Sequence, residues 1–139
     1  MMQLVCELCT SLGGELVWQD ETCRVVLVDE AAYPGFCRVI LRDHVAEMSD
    51  LDRDTRQHLM NVVHAVECAV REALQPDKIN LASLGNVVPH LHWHVIPRWR
   101  EDRHFPSPIW AEPRRPHAVP AIPPDALARL RQRLSQLEP

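Results

Sequence analysis

The chain of 139 residues holds no apolar run near the ~20 residues that a helix needs to cross a bilayer, so no membrane span is expected and the protein should be soluble. It also lacks any concentration of positive charge. The net charge is -4 and the basic residues, nearly all arginine, are scattered along the chain. That leaves no electrostatic footprint for nonspecific nucleic-acid binding, and a nucleic-acid duplex is not an expected partner. Five cysteines are an odd number and no secretory signal stands ahead of them. A disulfide framework is therefore not expected, and reduced thiols in the cytoplasm are. There is no internal repeat, and proline enrichment is the one low-complexity feature. A chain of this length supports one domain around one core.

What is present is His90-Leu91-His92-Trp93-His94-Val95-Ile96, held between Pro89 and Pro97. Alternation with a period of two, bounded by turn formers, predicts a β-strand in which residues i, i+2 and i+4 share a face. The three histidines then project together at intervals of roughly 7 Å, while Leu91, Trp93 and Val95 fill the packed side. Three chemistries suit such a row: solvated polar residues on an open sheet face, ligands to a metal ion, or a nucleophile with neighbours that handle the proton and the leaving group.

The row resembles the histidine triad signature, His-φ-His-φ-His-φ-φ with φ apolar, of the HIT nucleotide hydrolases and transferases, among them the diadenosine polyphosphate hydrolases. Gly85-Asn86-Val87-Val88 before it and Ile96-Pro97-Arg98 after it look like the family's flanks, and a looser likeness runs from about Cys6 to Trp99. The resemblance implies an α+β domain of the HIT type, with an antiparallel sheet of about five strands, one long helix and a C-terminal helix. Residues 1–101 would form its core, and residues 102–139 a proline-rich arm and the C-terminal helix of the same domain. It further implies a homodimer that acts at the α-phosphate of a purine nucleotide derivative, a dinucleoside polyphosphate or a nucleoside phosphoramidate. In that reading His92 is the nucleophile that forms a nucleotidyl-histidine, His94 bonds the phosphate oxygens, and His90 orients its neighbours, with no cofactor required for the chemistry.

Nucleotide-binding roles carry over to Asp29 and Asn80, as ribose or phosphate contacts, and to the backbone from Gly85 through Asn86 and Val87 to Val88. A subset of the family places structural zinc between a Cys-x-x-Cys pair, a later histidine and the first triad histidine. Here those are Cys6, Cys9, His44 and His90. Two departures stand out: Asn86 replaces the usual Gln, and Val87 replaces a Ser or Thr whose hydroxyl contacts the leaving group in relatives. The second departure keeps open a rival reading, a nucleotide-binding or scaffold protein without turnover.

Elsewhere the pattern predicts a hairpin of two strands, Glu15 to Trp18 and Cys23 to Asp29, then a third strand over Phe36 to Arg42 and a fourth over Lys78 to Ala82. Apolar residues at helical spacing predict the main helix from about Asp52 to Leu74, capped from Ser49 or Asp50 and ended by Pro76. His58 and His64 within it have no evident chemical task. Seven prolines between Asp102 and Pro124 predict an extended arm anchored by Phe105, Ile109 and Trp110, covering either its own pocket rim or a second subunit. Leu127, Leu130, Leu134 and Leu137 mark a final helix.

Overall fold

A computed structural model describes residues 5–116 and 119–139. Five antiparallel strands, β1 (Glu15–Gln19), β2 (Cys23–Leu27), β3 (Cys37–Leu41), β4 (Lys78–Ala82) and β5 (His92–Arg98), form one sheet in the order β1-β2-β3-β5-β4. The helices are α1 (Glu7–Thr10), α2 (Arg53–Leu74) and α3 (Ala126–Leu134), with a short 3-10 turn at Met48–Asp50. The architecture is thus α+β. No helix among the described residues is long and apolar enough to cross a membrane.

Alternation along the strands sorts their side chains between two environments. Val25 and Leu27 of β2, Val39 and Leu41 of β3, Ile79 of β4 and Val95 of β5 point to one face, where Leu59, Val63, Val66 and Val70 of α2 cover them. Ala126, Leu130 and Leu134 of α3 join this same core, so the C-terminal helix packs with the earlier residues rather than apart from them. The other face carries Arg38 and Ile40 of β3 and His92, His94, Ile96 and Arg98 of β5, with Arg38 paired across to His94 and Ile40 to His92. Gly35 has φ +87, and a Cβ there would collide with Leu74 at the end of α2, so both backbone and packing require glycine.

Several boundaries differ from the sequence-based expectation, each for a local reason. The Asp52 side chain, not Ser49 or Asp50, caps α2 by accepting from the Thr55 N–H at 2.7 Å, because Met48–Asp50 are taken up in the 3-10 turn. Gln75, in the left-handed conformation, then closes the helix before Pro76. β2 stops at Leu27, which leaves Asp29 beyond the strand. The triad strand begins at His92 rather than His90, since the N–H of Leu91 donates to Val45 O at 2.8 Å and that of His90 turns back to Val88 O.

From Glu101 to Ala111 the arm is a run of turns and bends rather than an extended segment, residues 119–123 carry no turn, and 117–118 lie outside the described residues. Asp102 is the cause: its buried carboxylate accepts the N–H groups of Trp99, His104 and Phe105 and folds the backbone around itself. Of the expected anchors, Ile109 packs against the Tyr33, Phe36 and Ile96 cluster and the Arg98 guanidinium lies over the Phe105 ring, but Trp110 is half exposed. His58 also has more to do than expected. Its Nε2 meets the Asp20 carboxylate at 2.6 Å and ties α2 to the β1–β2 turn.

Candidate active site

The His92 ring is held by its own neighbour. Its Nδ1 lies 2.5 Å from the His90 carbonyl, which can only accept, so the proton sits on Nδ1 and the lone pair on Nε2. The His92 carbonyl in turn accepts from Ser83 Oγ at 2.8 Å, which fixes the backbone at this point of the strand. The His94 ring stands nearly perpendicular to that of His92, with centroids 4.9 Å apart. Burial, reinforced by the neighbouring His92 ring and the Arg38 guanidinium, pushes the His94 pKa down to about 4, so it is neutral at physiological pH. Its Nδ1 is sealed and has no partner. A cavity of about 320 Å³ opens over these two rings, walled by the Leu84 to Val88 loop and by Trp110. Trp110 approaches His94 edge-on at 5.1 Å, so the arm covers the rim of its own chain's pocket.

His90 faces elsewhere. Its Nε2–H donates to the Leu41 carbonyl at 2.6 Å, which turns the Nδ1 lone pair toward Cys6 Sγ and Cys9 Sγ, each at 3.4 Å, and His44 Nδ1 at 3.2 Å. Burial lowers the His90 pKa and favours this neutral form. The four donor atoms of Cys6, Cys9, His44 and His90 lie within 4.8 Å of one another. A tetrahedron with Zn–N near 2.0 Å and Zn–S near 2.3 Å has edges of roughly 3.3–3.8 Å, so both the donor set and its spacing fit a structural zinc ion.

Behind the pocket lies a buried ionic network. Arg98 Nε and Nη2 grip Asp102 at 2.8 and 3.1 Å, and Nη1 donates to Asn80 Oδ1 at 2.7 Å. The Tyr33 hydroxyl reaches both Asp102 Oδ1 at 3.1 Å and His104 Nδ1 at 2.6 Å. Burial alone would raise the Asp102 pKa. The Arg98 guanidinium and the three backbone donors outweigh that and hold it at about 2.

The HIT domain family model matches residues 11–101, well over half of the chain. The protein belongs to the HIT domain family. Its relatives include an uncharacterised HIT-like protein of Saccharolobus solfataricus, 29% identical over 94 residues, which span 64% of this chain and 68% of the relative. A bis(5'-adenosyl)-triphosphatase of Saccharomyces cerevisiae is 32% identical over 73 residues, which span 48% of this chain but only 35% of the yeast protein. Among solved structures, a histidine triad protein from Marinobacter aquaeolei superposes with a TM-score of 0.75 at 28% identity and covers 99% of both chains. One from Bradyrhizobium japonicum gives 0.70 at 27% identity and covers 86% of this chain and 91% of its own. The five-stranded antiparallel sheet with its helices is the HIT fold.

Within this HIT domain the residues singled out in the sequence fall into four places. His92, His94 and the Gly85, Asn86, Val87, Val88 loop line one cavity. Cys6, Cys9, His44 and His90 form the adjoining cluster. Asn80 lies on the triad face but is engaged by Arg98. Asp29 is exposed and lines a separate cavity with Glu30, Pro34, Val119 and Arg131. Asp102 and His104 were not foreseen. The one available signal was the opposite charge of Arg98 and Asp102 four residues apart just after the triad strand.

Proposed function

We propose that this HIT protein transfers the nucleotidyl group of a purine nucleotide derivative to His92 and then to water. The observation that carries the reading is the His90 carbonyl on His92 Nδ1, which leaves Nε2 as a lone-pair donor in the cavity. Nε2 attacks the α-phosphorus, and the P–O or P–N bond to the leaving group breaks with its electron pair on that group, which takes a proton from water. Neutral His94 donates to a nonbridging oxygen from its cavity side, and the backbone of Gly85 to Val88 adds donors. Water then attacks phosphorus and gives its proton to the hydroxide left by the first step, the P–Nε2 bond breaks with its electron pair on Nε2, and a nucleoside monophosphate leaves with His92 restored.

The name of the yeast relative makes dinucleoside polyphosphates one substrate class, and nucleoside phosphoramidates are the other. Zinc at Cys6, Cys9, His44 and His90 has a structural task in this account, and no metal enters the chemical step. By family likeness the working form is a cytoplasmic homodimer, and nucleotide contact by Asp29, which lines a separate cavity, and by Asn80, whose Oδ1 accepts from Arg98, is proposed on that likeness alone. Release of AMP from adenosine phosphoramidate and from diadenosine triphosphate, in the presence of a chelator, is expected of the wild type and not of His92→Ala. Well-folded wild type that releases none from either compound contradicts this reading. It would favour a nucleotide-binding protein without turnover, for which Val87, 93% exposed and without a hydroxyl, is the supporting observation.

A further inference from the structure

We propose that Arg38 recognises the phosphate of the substrate in the triad site, an inference that rests on the nucleotidyl-transfer reading above. Arg38 pairs across the β3–β5 ladder with His94, on the face that also carries His92. Its guanidinium carbon lies 5.5 Å from the centre of the Phe36 ring, and that ring is 5.7 Å from His94. Nη1 donates to the Gly13 carbonyl at 3.0 Å, which holds the planar group in place. Nε is sealed from solvent and has no hydrogen-bond partner.

The neighbouring arginines of this face are committed. Arg24 donates to the carbonyls of Leu8, Ser11 and Leu12, and Arg98 to Asp102, Asn80 and the Ser107 carbonyl. No carboxylate forms an ion pair with Arg38 among the described residues. The Glu7 carboxylate acts on Arg38 from beyond ion-pair distance, so burial of the cation is only partly compensated, and an anion arriving at the site offsets the rest. Arginine is the side chain whose flat donor edge suits phosphate oxygens. Its charge already reaches the site, since it helps to depress the basicity of His94. The cavity wall itself, Leu84 to Val88, His92, His94 and Trp110, holds no arginine or lysine, and Arg38, the cross-strand partner of His94, brings positive charge to it.

The test is calorimetric binding of AMP and of adenosine to the full chain as wild type, Arg38→Met and Arg38→Lys. Wild type is expected to prefer AMP. Arg38→Met should lose about tenfold or more in AMP affinity with adenosine affinity unchanged, and Arg38→Lys should recover part of the loss. A purely structural role would weaken both ligands together and lower Tm. Arg38→Met that keeps the wild-type preference, or that loses both ligands equally, overturns the proposal while the nucleotide reading stands. Wild type that binds neither ligand overturns the nucleotide reading, and this proposal with it.

Discussion

His90 and His92 are joined so that one residue serves two sites: the His90 ring closes the thiol and imidazole cluster, and its carbonyl, 2.5 Å from His92 Nδ1, sets the tautomer of the reactive ring. Whatever anchors the His90 ring therefore also anchors the His92 ring, the nucleophile of the proposed reaction.

With zinc proposed at the cluster, Cys9→Ser should lower the zinc content of the purified protein and its Tm and reduce kcat about tenfold or more, with little change in KM. Elemental analysis, thermal unfolding and steady-state kinetics check this. A variant without zinc that keeps full kcat would separate the cluster from the reactive ring.

Asp102→Asn leaves the Arg98 guanidinium buried without its counter-charge, and a loss of about 3 kcal/mol or more in unfolding free energy is expected. The folded-state pKa of Asp102 is about 2 against an ordinary 3.8. Its contribution is therefore complete above pH 3.8 and is lost as pH falls toward 2. Urea titrations between pH 5 and about 2 should show a steep acid loss in the wild type and a shallower one in Asp102→Asn.

Val87 stands exposed at the cavity, at the position that the resemblance assigns to a Ser or Thr. Val87→Thr supplies one hydrogen bond to a polar leaving group, and kcat should rise about fivefold with Tm unchanged. No gain with either substrate class would mean that the leaving group does not pass this residue.

Trp110 is half exposed and meets His94 edge-on, so it shapes the pocket more than it supports the core. Trp110→Ala should lower kcat/KM about fivefold with little effect on Tm, a split that kinetics and a melting curve resolve together.

The parts of the molecule that repeat with a period were legible in the sequence. Lys78–Ala82 is a strand with the expected bounds, the α2 stripe of Leu59, Val63, Val66 and Val70 forms the core, and the His92, Trp93, His94 alternation sorts two faces of β5. Single residues whose partners lie far along the chain were not. Asp102 organises the arm through Arg98, Tyr33 and the backbone of residues 99–105, and a lone aspartate in a proline-rich stretch carries no periodic signal. His90 looked like a strand residue because it keeps the alternation. Its ring meets Cys6 and Cys9, more than eighty residues away, a grouping that the family resemblance named and that no local pattern reveals. Arg38 carries no signal of its own in the strand pattern, and only the ladder register shows it opposite His94.

The central claim, two successive displacements at phosphorus through His92, is tested most directly by the steric course of hydrolysis with an adenosine 5'-phosphorothioate derivative chiral at the α-phosphorus and labelled water. Each in-line attack inverts the centre, so a nucleotidyl-histidine intermediate predicts net retention in the product. Net inversion would mean that water attacks the substrate directly, and would contradict the account.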